Sequence, residues 1–245
     1  MRTCYSYPLR LFPCDPAPVG NVARVVAYRA DPILGFEFDL RAFPRWARRT
    51  DPLLGRLAVS LRGFRPPLAR NPFEMLVGSI TAQQVSLRAA LAIRNRFVQR
   101  FGVRGVHAYA FPERARVARA KPAQLVALGL SGRKAEYVVG LARSDLDLDA
   151  LASLPDEDVK TQITSVRGLG EWTADWFLAR HLGRPHAWPA GDLGLRKAVS
   201  ALYRGGRDMT IDEVRAIGSR FAPFENLSAQ YLLTGLRVAP ESARL

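Results

Sequence analysis

The sequence predicts a mainly helical protein with a short N-terminal segment that is partly β. From residue 70 onward, apolar residues recur at the three- and four-residue spacing of amphipathic helices. Residues that typically start helices precede several of these stretches. The first 68 residues instead carry short apolar patches interrupted by proline and glycine. We therefore expect an N-terminal α/β segment over 1–68 and a helical domain over 69–245.

Within the N-terminal segment, the apolar stretches 22–28 and 33–40 favour strands or part of a small domain. A short helix is expected around 52–61, after an Asp-Pro start. Residues 65–68 read Arg-Pro-Pro-Leu, which predicts an extended connector because proline restricts its own backbone and that of the residue before it.

The helical part begins at Asn71, a cap residue that is followed by proline at the first helical position and by Glu74. Thr210 followed by Glu213 predicts a capping box at a later helix start. The periodic stretches predict an all-α body of about ten short helices. After the helix at Asn71 they cover 87–102, 112–120, 122–128, 133–143, 156–164, 171–181, 193–203, 211–221 and 227–238.

The charge of the chain indicates a polyanionic partner. Its 245 residues include 36 Lys and Arg against 22 Asp and Glu, which gives a formal net charge of +14. A fold of this size has no structural need for such an imbalance, and nucleic acid is the commonest partner that explains it. A compositional bias toward arginine, as in GC-rich or thermophilic genomes, is the alternative.

Cysteine and histidine usage argues against zinc and iron–sulfur chemistry. Cys4 and Cys14 are the only cysteines, too few for a disulfide framework or a four-cysteine site. The three histidines, His107, His181 and His186, have no ligand spacing typical of zinc. No apolar run has the length of a membrane span and no signal peptide is apparent, so we expect a cytoplasmic protein without membrane contact.

Residues 166–170 read Val-Arg-Gly-Leu-Gly and join two predicted helices. Glycine destabilises helices, so two glycines here need a physical reason. They would allow a tight hairpin whose amides point outward at the start of the next helix, and such amides bind phosphate. Ordinary helix capping is the alternative explanation for this pair of glycines.

Two longer segments sharpen this interpretation: GLGEWTADWF at 168–177 and WPAGDLGLRKAV at 188–199. Together with AQQVS at 82–86 and SGRKAE at 131–136, they resemble the helix-hairpin-helix (HhH-GPD) DNA glycosylase superfamily. Within it, the chain is similar to bacterial glycosylases for 3-methyladenine and other alkylated bases. The resemblance runs from about residue 51 to 236 and implies a two-lobed helical fold.

The resemblance implies a monofunctional DNA glycosylase. Such an enzyme hydrolyses the N-glycosidic bond of 3-methyladenine or 7-methylguanine in double-stranded DNA, leaves an abasic site and acts in base excision repair, here as an expected monomer. Asp192 matches the catalytic aspartate, a carboxylate that stabilises the positive charge on the sugar and orients or deprotonates water. Without this context, Asp192 would be an ordinary helix N-cap.

Three tryptophans are predicted to line the pocket for the flipped base: Trp172, Trp176 and Trp188. An aromatic slot suits a methylated purine because its positive charge is attracted to a π face. Relatives that also cleave the strand carry a lysine at the position of Trp172, so its replacement indicates that this chain has no lyase activity. The alternative is that Trp172 and Trp176, four residues apart on one helix, belong to the core.

The resemblance also assigns DNA contacts. The amides around Gly168, Leu169 and Gly170 would hold a phosphate, and Gln84, beside Gln83, matches the wedge that fills the gap left by the flipped base. Adjacent glutamines on an apolar helix are unusual core residues, although a solvated helix edge would also explain them. Two further matches are assigned to the DNA backbone, Arg133 and Lys134.

No organic cofactor is expected, although the family often binds a monovalent cation at the hairpin. A Na⁺ or K⁺ ion would lie on the backbone carbonyls of Thr164, Val166 and Leu169.

Several departures from the family pattern leave alternatives open. The first fifty residues are shorter than the N-terminal domain of larger relatives, so that domain is expected to be truncated. Residues 223–228 lack the usual Arg-Ser-Tyr, and Leu233 stands where some relatives place another pocket aromatic. The substrate could therefore be hypoxanthine, uracil or 1-methyladenine, or the chain could be a non-catalytic helix-hairpin-helix module that only binds DNA.

Overall fold

The computed structural model describes residues 38–106 and 108–238, and over these ranges it is mainly helical, as predicted. The α-helices are α1 Ala42–Thr50, α2 Pro52–Ser60, α3 Pro72–Ala82, α4 Leu87–Phe101, α5 Arg114–Ala118, α6 Pro122–Val126, α7 Gly132–Arg143, α8 Asp156–Ser165, α9 Glu171–Arg180, α10 Leu193–Tyr203, α11 Ile211–Gly218 and α12 Glu225–Val238. Short 3-10 helices cover Ala150–Ser153 and Ser219–Phe221, and two short strands are β1 Val103–Arg104 and β2 Tyr109–Ala110. Within the described ranges, every helix is too short or too polar to span a bilayer.

The chain divides into two compact units. The first unit is Ala69–Thr173, and the second combines 38–68 with 174–238. Helix α9 begins in the first unit and ends in the second. One boundary falls at residue 68, but the predicted domains 1–68 and 69–245 stay a prediction, because most of 1–68 lies outside the described residues.

In the first unit, α3 packs against α4 and α7, and α7 packs against α5 and α6. The apolar stripe predicted for α3 provides buried Leu76 and Ile80, while α7 contributes Leu141. Asn71 caps α3 by accepting a hydrogen bond from the Glu74 amide at 2.9 Å, as predicted.

A β-hairpin interrupts the first unit after α4, where the sequence predicted helices throughout. Val103 pairs with Ala110 and Arg104 with Tyr109 in antiparallel register. Gly102 permits this close return, because a Cβ on it would lie 2.2 Å from the carbonyl oxygen of Ala110. The expectation of a purely helical region is therefore wrong at these four residues.

In the second unit, α1 packs on α2, and α12 packs on both α2 and α10. Phe43 of α1 is fully buried in an aromatic cluster with Trp46, Phe224 and Tyr231. The sequence predicted no helix at α1. Its predicted strand 33–40 lies partly outside the described residues, and residues 38–40 form no strand.

The capping residues of the second unit set its helix starts. Asp51 accepts hydrogen bonds from the Leu53 and Leu54 amides at 3.0 and 2.8 Å and starts α2. The capping box predicted for Thr210 and Glu213 is confirmed, with bonds of 3.2 and 2.8 Å.

Candidate active site

Asp192 is the N-cap of α10, and both of its carboxylate oxygens are held. Oδ1 accepts a hydrogen bond from the Leu195 amide at 2.8 Å, and Oδ2 accepts one from the indole Nε1 of Trp176 at 3.1 Å. The side chain is half-buried at the positive end of the helix. The capping role that sequence reasoning offered as an alternative is thus present, and it uses only one of the two oxygens.

The glycine two residues after Asp192 makes room for this carboxylate. A Cβ on Gly194 would lie 3.0 Å from Oδ1 of Asp192 and 3.2 Å from Cδ2 of Leu233. Leu233 is buried in α12. The carboxylate is therefore confined by its hydrogen-bond donors, and a side chain at Gly194 would require Asp192 and Leu233 to shift by a few tenths of an ångström.

Trp176 lies in the core of the second unit, with 6% of its surface exposed. One face of its ring is covered by Arg180, whose guanidinium carbon lies 4.1 Å from the ring centroid. The Nη2 atom of Arg180 also donates to Oε1 of Gln230 at 3.2 Å. The base-pocket role of Trp176 stays a prediction, and the hydrogen bond to Asp192 adds a direct link to the carboxylate.

Trp188 is half-buried in the same unit and is anchored on α11. Its Nε1 donates to the carbonyl of Val214 at 3.0 Å, and its ring lies 5.5 Å from that of Phe221. It packs so closely on Gly218 that a Cβ there would lie 2.4 Å from Nε1. These contacts fix the indole, while its predicted part in the base pocket stays a prediction.

Trp172 is half-buried at the second position of α9, in the first unit. The two other predicted pocket tryptophans, Trp176 and Trp188, belong to the second unit. The structure thus places Trp176 and Trp188 with Asp192 in one compact unit, and Trp172 with the hairpin residues in the other.

The hairpin at 166–170 has the tight turn that its glycines predict. Gly168 has φ +95°, a conformation that side chains rarely adopt, and a Cβ on it would lie 2.2 Å from Cγ of Tyr137. Leu169 is buried, whereas Gly170 is exposed and has open space around it. Gly170 directly precedes α9, so the exposed turn lies at a helix N-terminus, where phosphate binding is favoured.

The loop after α3 is tied to this hairpin within the first unit. Nε2 of Gln83 donates to the carbonyl of Gly168 at 2.9 Å. Nζ of Lys134 donates to the carbonyl of Thr81 at 3.0 Å and to that of Gln83. Burial lowers the pKa of the Lys134 ammonium. The loop after α3, the hairpin at 166–170 and the start of α7 are therefore linked by hydrogen bonds. We call these three segments the connected surface of the first unit.

Gln84 lies at the tip of this loop. It is exposed and adopts φ +52°, the left-handed region that is uncommon outside glycine. Arg133 is exposed at the start of α7. Of the glutamine and basic residues predicted to contact DNA, Gln84 and Arg133 thus lie outward, while Gln83 and Lys134 bond to the backbone of the protein.

Sequence reasoning missed two arginines at these sites. Arg167, inside the hairpin, has an 81% exposed side chain, 4.0 Å from Glu136 and 5.7 Å from the Tyr137 ring centroid. Its position between Val166 and Gly168 could have identified it. Arg180 could have been found from its spacing, because it follows Trp176 by one helical turn.

The predicted cation ligands lie next to this hairpin. Thr164 is exposed near the end of α8, and the carbonyl of Val166 accepts a hydrogen bond from the Leu169 amide at 3.0 Å. Each carbonyl oxygen has two lone pairs, so Val166 retains one for a ligand. Neutral carbonyl oxygens are suitable ligands for Na⁺ or K⁺.

This chain is similar in sequence to known proteins of one superfamily. A sequence profile of the HhH-GPD superfamily, described as base excision DNA repair proteins, matches residues 77–223. The chain is 31% identical over 202 residues to the DNA-3-methyladenine glycosylase of Bacillus subtilis, which covers 79% of this chain and 66% of the relative. Among the first curated relatives that it matches, the chain spans 38% to 66% of their length.

Solved structures are similar too. The 3-methyladenine DNA glycosylase of Archaeoglobus fulgidus has a TM-score of 0.75 and 32% identity, covering 82% of this chain and 70% of that one. The Schizosaccharomyces pombe 3-methyladenine DNA glycosylase, solved in complex with abasic DNA, has a TM-score of 0.70 and 25% identity. That match covers 81% of this chain and 98% of the other.

Proposed function

We propose that this chain, which belongs to the HhH-GPD superfamily of base excision DNA repair proteins, is a monofunctional DNA glycosylase for alkylated purines. Its substrates would be 3-methyladenine and 7-methylguanine in double-stranded DNA, and its product an abasic site. The names of the relatives support a glycosylase of the 3-methyladenine type. The observation that carries the proposal is the carboxylate of Asp192, held by two donors within the region that the family profile matches.

The geometry of Asp192 suits the chemistry of glycosidic hydrolysis. As the C1′–N bond stretches, positive charge develops on the sugar, and a fixed carboxylate stabilises that charge without having to reorganise. The Leu195 amide and the Trp176 indole each donate to one oxygen, so the orientation of the carboxylate is set before substrate binds. A carboxylate held in this way can face the sugar or orient a water molecule.

The proposed reaction balances without a cofactor. The electron pair of the C1′–N bond leaves with the base nitrogen and neutralises the positive charge of the methylated purine. Water then forms the new bond to C1′ and gives up one proton, which Asp192 or solvent accepts. Because the cationic base is already a good leaving group, no strong general acid is required.

Trp172 supports a hydrolase without lyase activity. The lyase branch of the family requires a primary amine at this position to attack C1′ and form a Schiff base. An indole cannot do this, because its nitrogen lone pair belongs to the aromatic system. Water is therefore the proposed nucleophile, and the DNA strand stays intact after the base has left.

The connected surface of the first unit supports duplex DNA as the partner. Gly168 and Gly170 would present amides to a phosphate, with Arg133 and Arg167 close to the backbone. The Leu169 amide, which the sequence also assigned to the phosphate, donates to the carbonyl of Val166 at 3.0 Å and serves the turn instead. A Na⁺ or K⁺ ion on the carbonyls of the hairpin would add positive charge beside that phosphate. Gln84 is the proposed wedge, because its exposed position on an anchored turn suits insertion into a duplex.

Chromatographic identification of the bases released from methylated duplex DNA tests the proposal. Release of 3-methyladenine and 7-methylguanine is expected, together with near-complete loss of release and retained DNA binding for Asp192→Asn. Full activity of Asp192→Asn would contradict the mechanism. Oligonucleotides with hypoxanthine, uracil or 1-methyladenine identify another substrate, and release from none of them would indicate a DNA-binding module without catalysis.

A further inference from the structure

We propose that Arg180, Gln230 and Asn226 position Asp192 indirectly, through the indole of Trp176. This inference rests on the proposed function, because it concerns how the catalytic carboxylate is oriented. All four positioning side chains and Asp192 itself lie in the second unit. They come from three elements: Trp176 and Arg180 from α9, Gln230 and Asn226 from α12, and Asp192 from the start of α10.

Trp176 donates to Oδ2 of Asp192, the oxygen that does not accept the cap bond from Leu195. The cap bond from Leu195 restrains Oδ1 but allows the carboxylate plane to turn about that bond. The indole N–H on Oδ2, at 3.1 Å, removes this freedom. With both bonds in place, the carboxylate plane is restrained at each of its two oxygens.

Arg180 acts on Trp176 in two ways. Its guanidinium lies 4.1 Å above the ring centroid, a distance at which the cation is attracted to the π face. The contact holds the indole plane in place. It also draws electron density from the ring, so the N–H becomes a stronger donor to the carboxylate.

Gln230 and Asn226 hold Arg180 from α12. Gln230 accepts from Arg180 at 3.2 Å and donates to Oδ1 of Asn226 at 3.4 Å. Asn226 in turn donates to the carbonyls of Ala179 and Arg184 at 2.9 and 2.8 Å. These contacts connect the amides of α12 to the end of α9 and to the segment that follows it.

The burial of these amides argues against simple core packing. Gln230 is 2% exposed and Asn226 is fully buried. Burying an amide is unfavourable unless hydrogen bonds compensate for the loss of water, and a leucine of similar size would have no such requirement. The amides are therefore better explained by the arginine and carbonyl groups that they orient.

The same contacts give Trp176 a second task beside its predicted part in the base pocket. One ring face is occupied by a cation of the protein, so that face cannot also receive a cationic base. In this proposal Trp176 is a positioning residue for the carboxylate, and any contact with the base would use the other face of its ring.

A spectroscopic experiment tests the relay independently of catalysis. The chain has four tryptophans, so a ¹⁵N-labelled protein gives four indole N–H signals, and Trp176→Phe identifies one by its loss. We expect Asp192→Asn and Arg180→Met each to shift this signal. Arg100→Met removes another arginine–aromatic contact, at 5.9 Å from Phe101, and should leave it in place. A Trp176 signal unmoved by both variants overturns the proposal.

Single-turnover base release tests the consequence for the reaction. Trp176→Phe keeps the ring but loses the N–H, and should lower the rate constant about 10- to 100-fold while the Kd for DNA stays constant. Arg180→Lys keeps a charge and should retain more activity than Arg180→Met, with Trp46→Phe as the unaffected control. Equal rates for wild type and Trp176→Phe would overturn the relay. A wild type that releases no base contradicts the proposed function instead, and the indole signals still decide the relay.

Discussion

Gln83 donates its side-chain amide to the carbonyl oxygen of Gly168 at 2.9 Å, across 85 positions of the chain. This bond joins the loop after α3 to the hairpin before α9. Lys134 holds the same loop from α7 through the carbonyls of Thr81 and Gln83. Lys134, which the sequence assigned to the DNA backbone, therefore shapes the loop that carries Gln84.

Arg133 is exposed, whereas Lys134 bonds to protein carbonyls. This difference predicts distinct salt dependences of DNA binding for variants of the two residues. A side chain that contacts one phosphate contributes about 0.9 to the slope of log K against log salt. We expect Arg133→Met to lower that slope by about this amount, because Arg133 is exposed. Lys134→Met should weaken DNA binding with the slope nearly unchanged, because its ammonium bonds to protein carbonyls. Fluorescence anisotropy with a labelled duplex at several salt concentrations measures both.

A second exposed arginine, Arg167 of the hairpin, provides the control. Arg167→Met, like Arg133→Met, should lower the slope, since its side chain is 81% exposed. An equal loss of slope in Lys134→Met would show that the ammonium reaches phosphate and that its carbonyl bonds break on binding.

Gly168→Ala should strongly destabilise the first unit. The new methyl group would meet the Tyr137 ring at 2.2 Å, and φ +95° adds roughly 1–2 kcal/mol of backbone strain. Gly170→Ala is the matched control, because its Cβ would enter open space. Thermal unfolding by circular dichroism should show a large drop in Tm for Gly168→Ala and little change for Gly170→Ala. Equal Tm values would contradict the described turn.

Much of the helical fold could be predicted from the sequence, because caps and apolar spacing are local. Helix α10 at Leu193–Tyr203 and the Thr210 capping box agree with prediction. Helix α1 was missed because Pro44 lies in its first turn, where proline is tolerated, and basic residues occupy its solvent side. The hairpin after α4 depends on the close return of Ala110 over Gly102, a tertiary contact that leaves no periodic pattern.

In the candidate site, too, some features can be predicted from local sequence and others depend on tertiary contacts. The motif around Asp192 and the glycines at 168 and 170 could be identified from short segments of sequence. The contact between Arg180 and Gln230 spans 50 positions, so the local spacing of Arg180 from Trp176 gives no indication of it. Only the packing of α12 against its neighbours brings the two side chains together.

Because residue 172 is a tryptophan and not a lysine, we expect no nicked strand among the products. Wild-type enzyme incubated with methylated duplex DNA should release base and leave the strand intact until it is heated with alkali, which cleaves abasic sites. Borohydride should trap no covalent enzyme–DNA adduct, because trapping requires a Schiff base with an amine. Denaturing gels before and after alkali treatment check both points. An adduct in the wild type would show that another amine of the protein reaches C1′.

Gly194→Ala should separate activity from stability. Its methyl group would lie 3.0 Å from Oδ1 of Asp192 and 3.2 Å from Leu233, so the carboxylate has to shift by a few tenths of an ångström. Alanine favours helix over glycine by up to about 1 kcal/mol, so Tm should stay constant or rise. We expect the single-turnover rate constant to fall about 10-fold, since small displacements of a catalytic group slow the reaction. Gly191 directly precedes Asp192 in the sequence, and a Cβ on it would enter open space. Gly191→Ala should therefore retain the wild-type rate. If both variants react at the wild-type rate, the orientation of Asp192 tolerates displacement and its two hydrogen bonds do not limit catalysis.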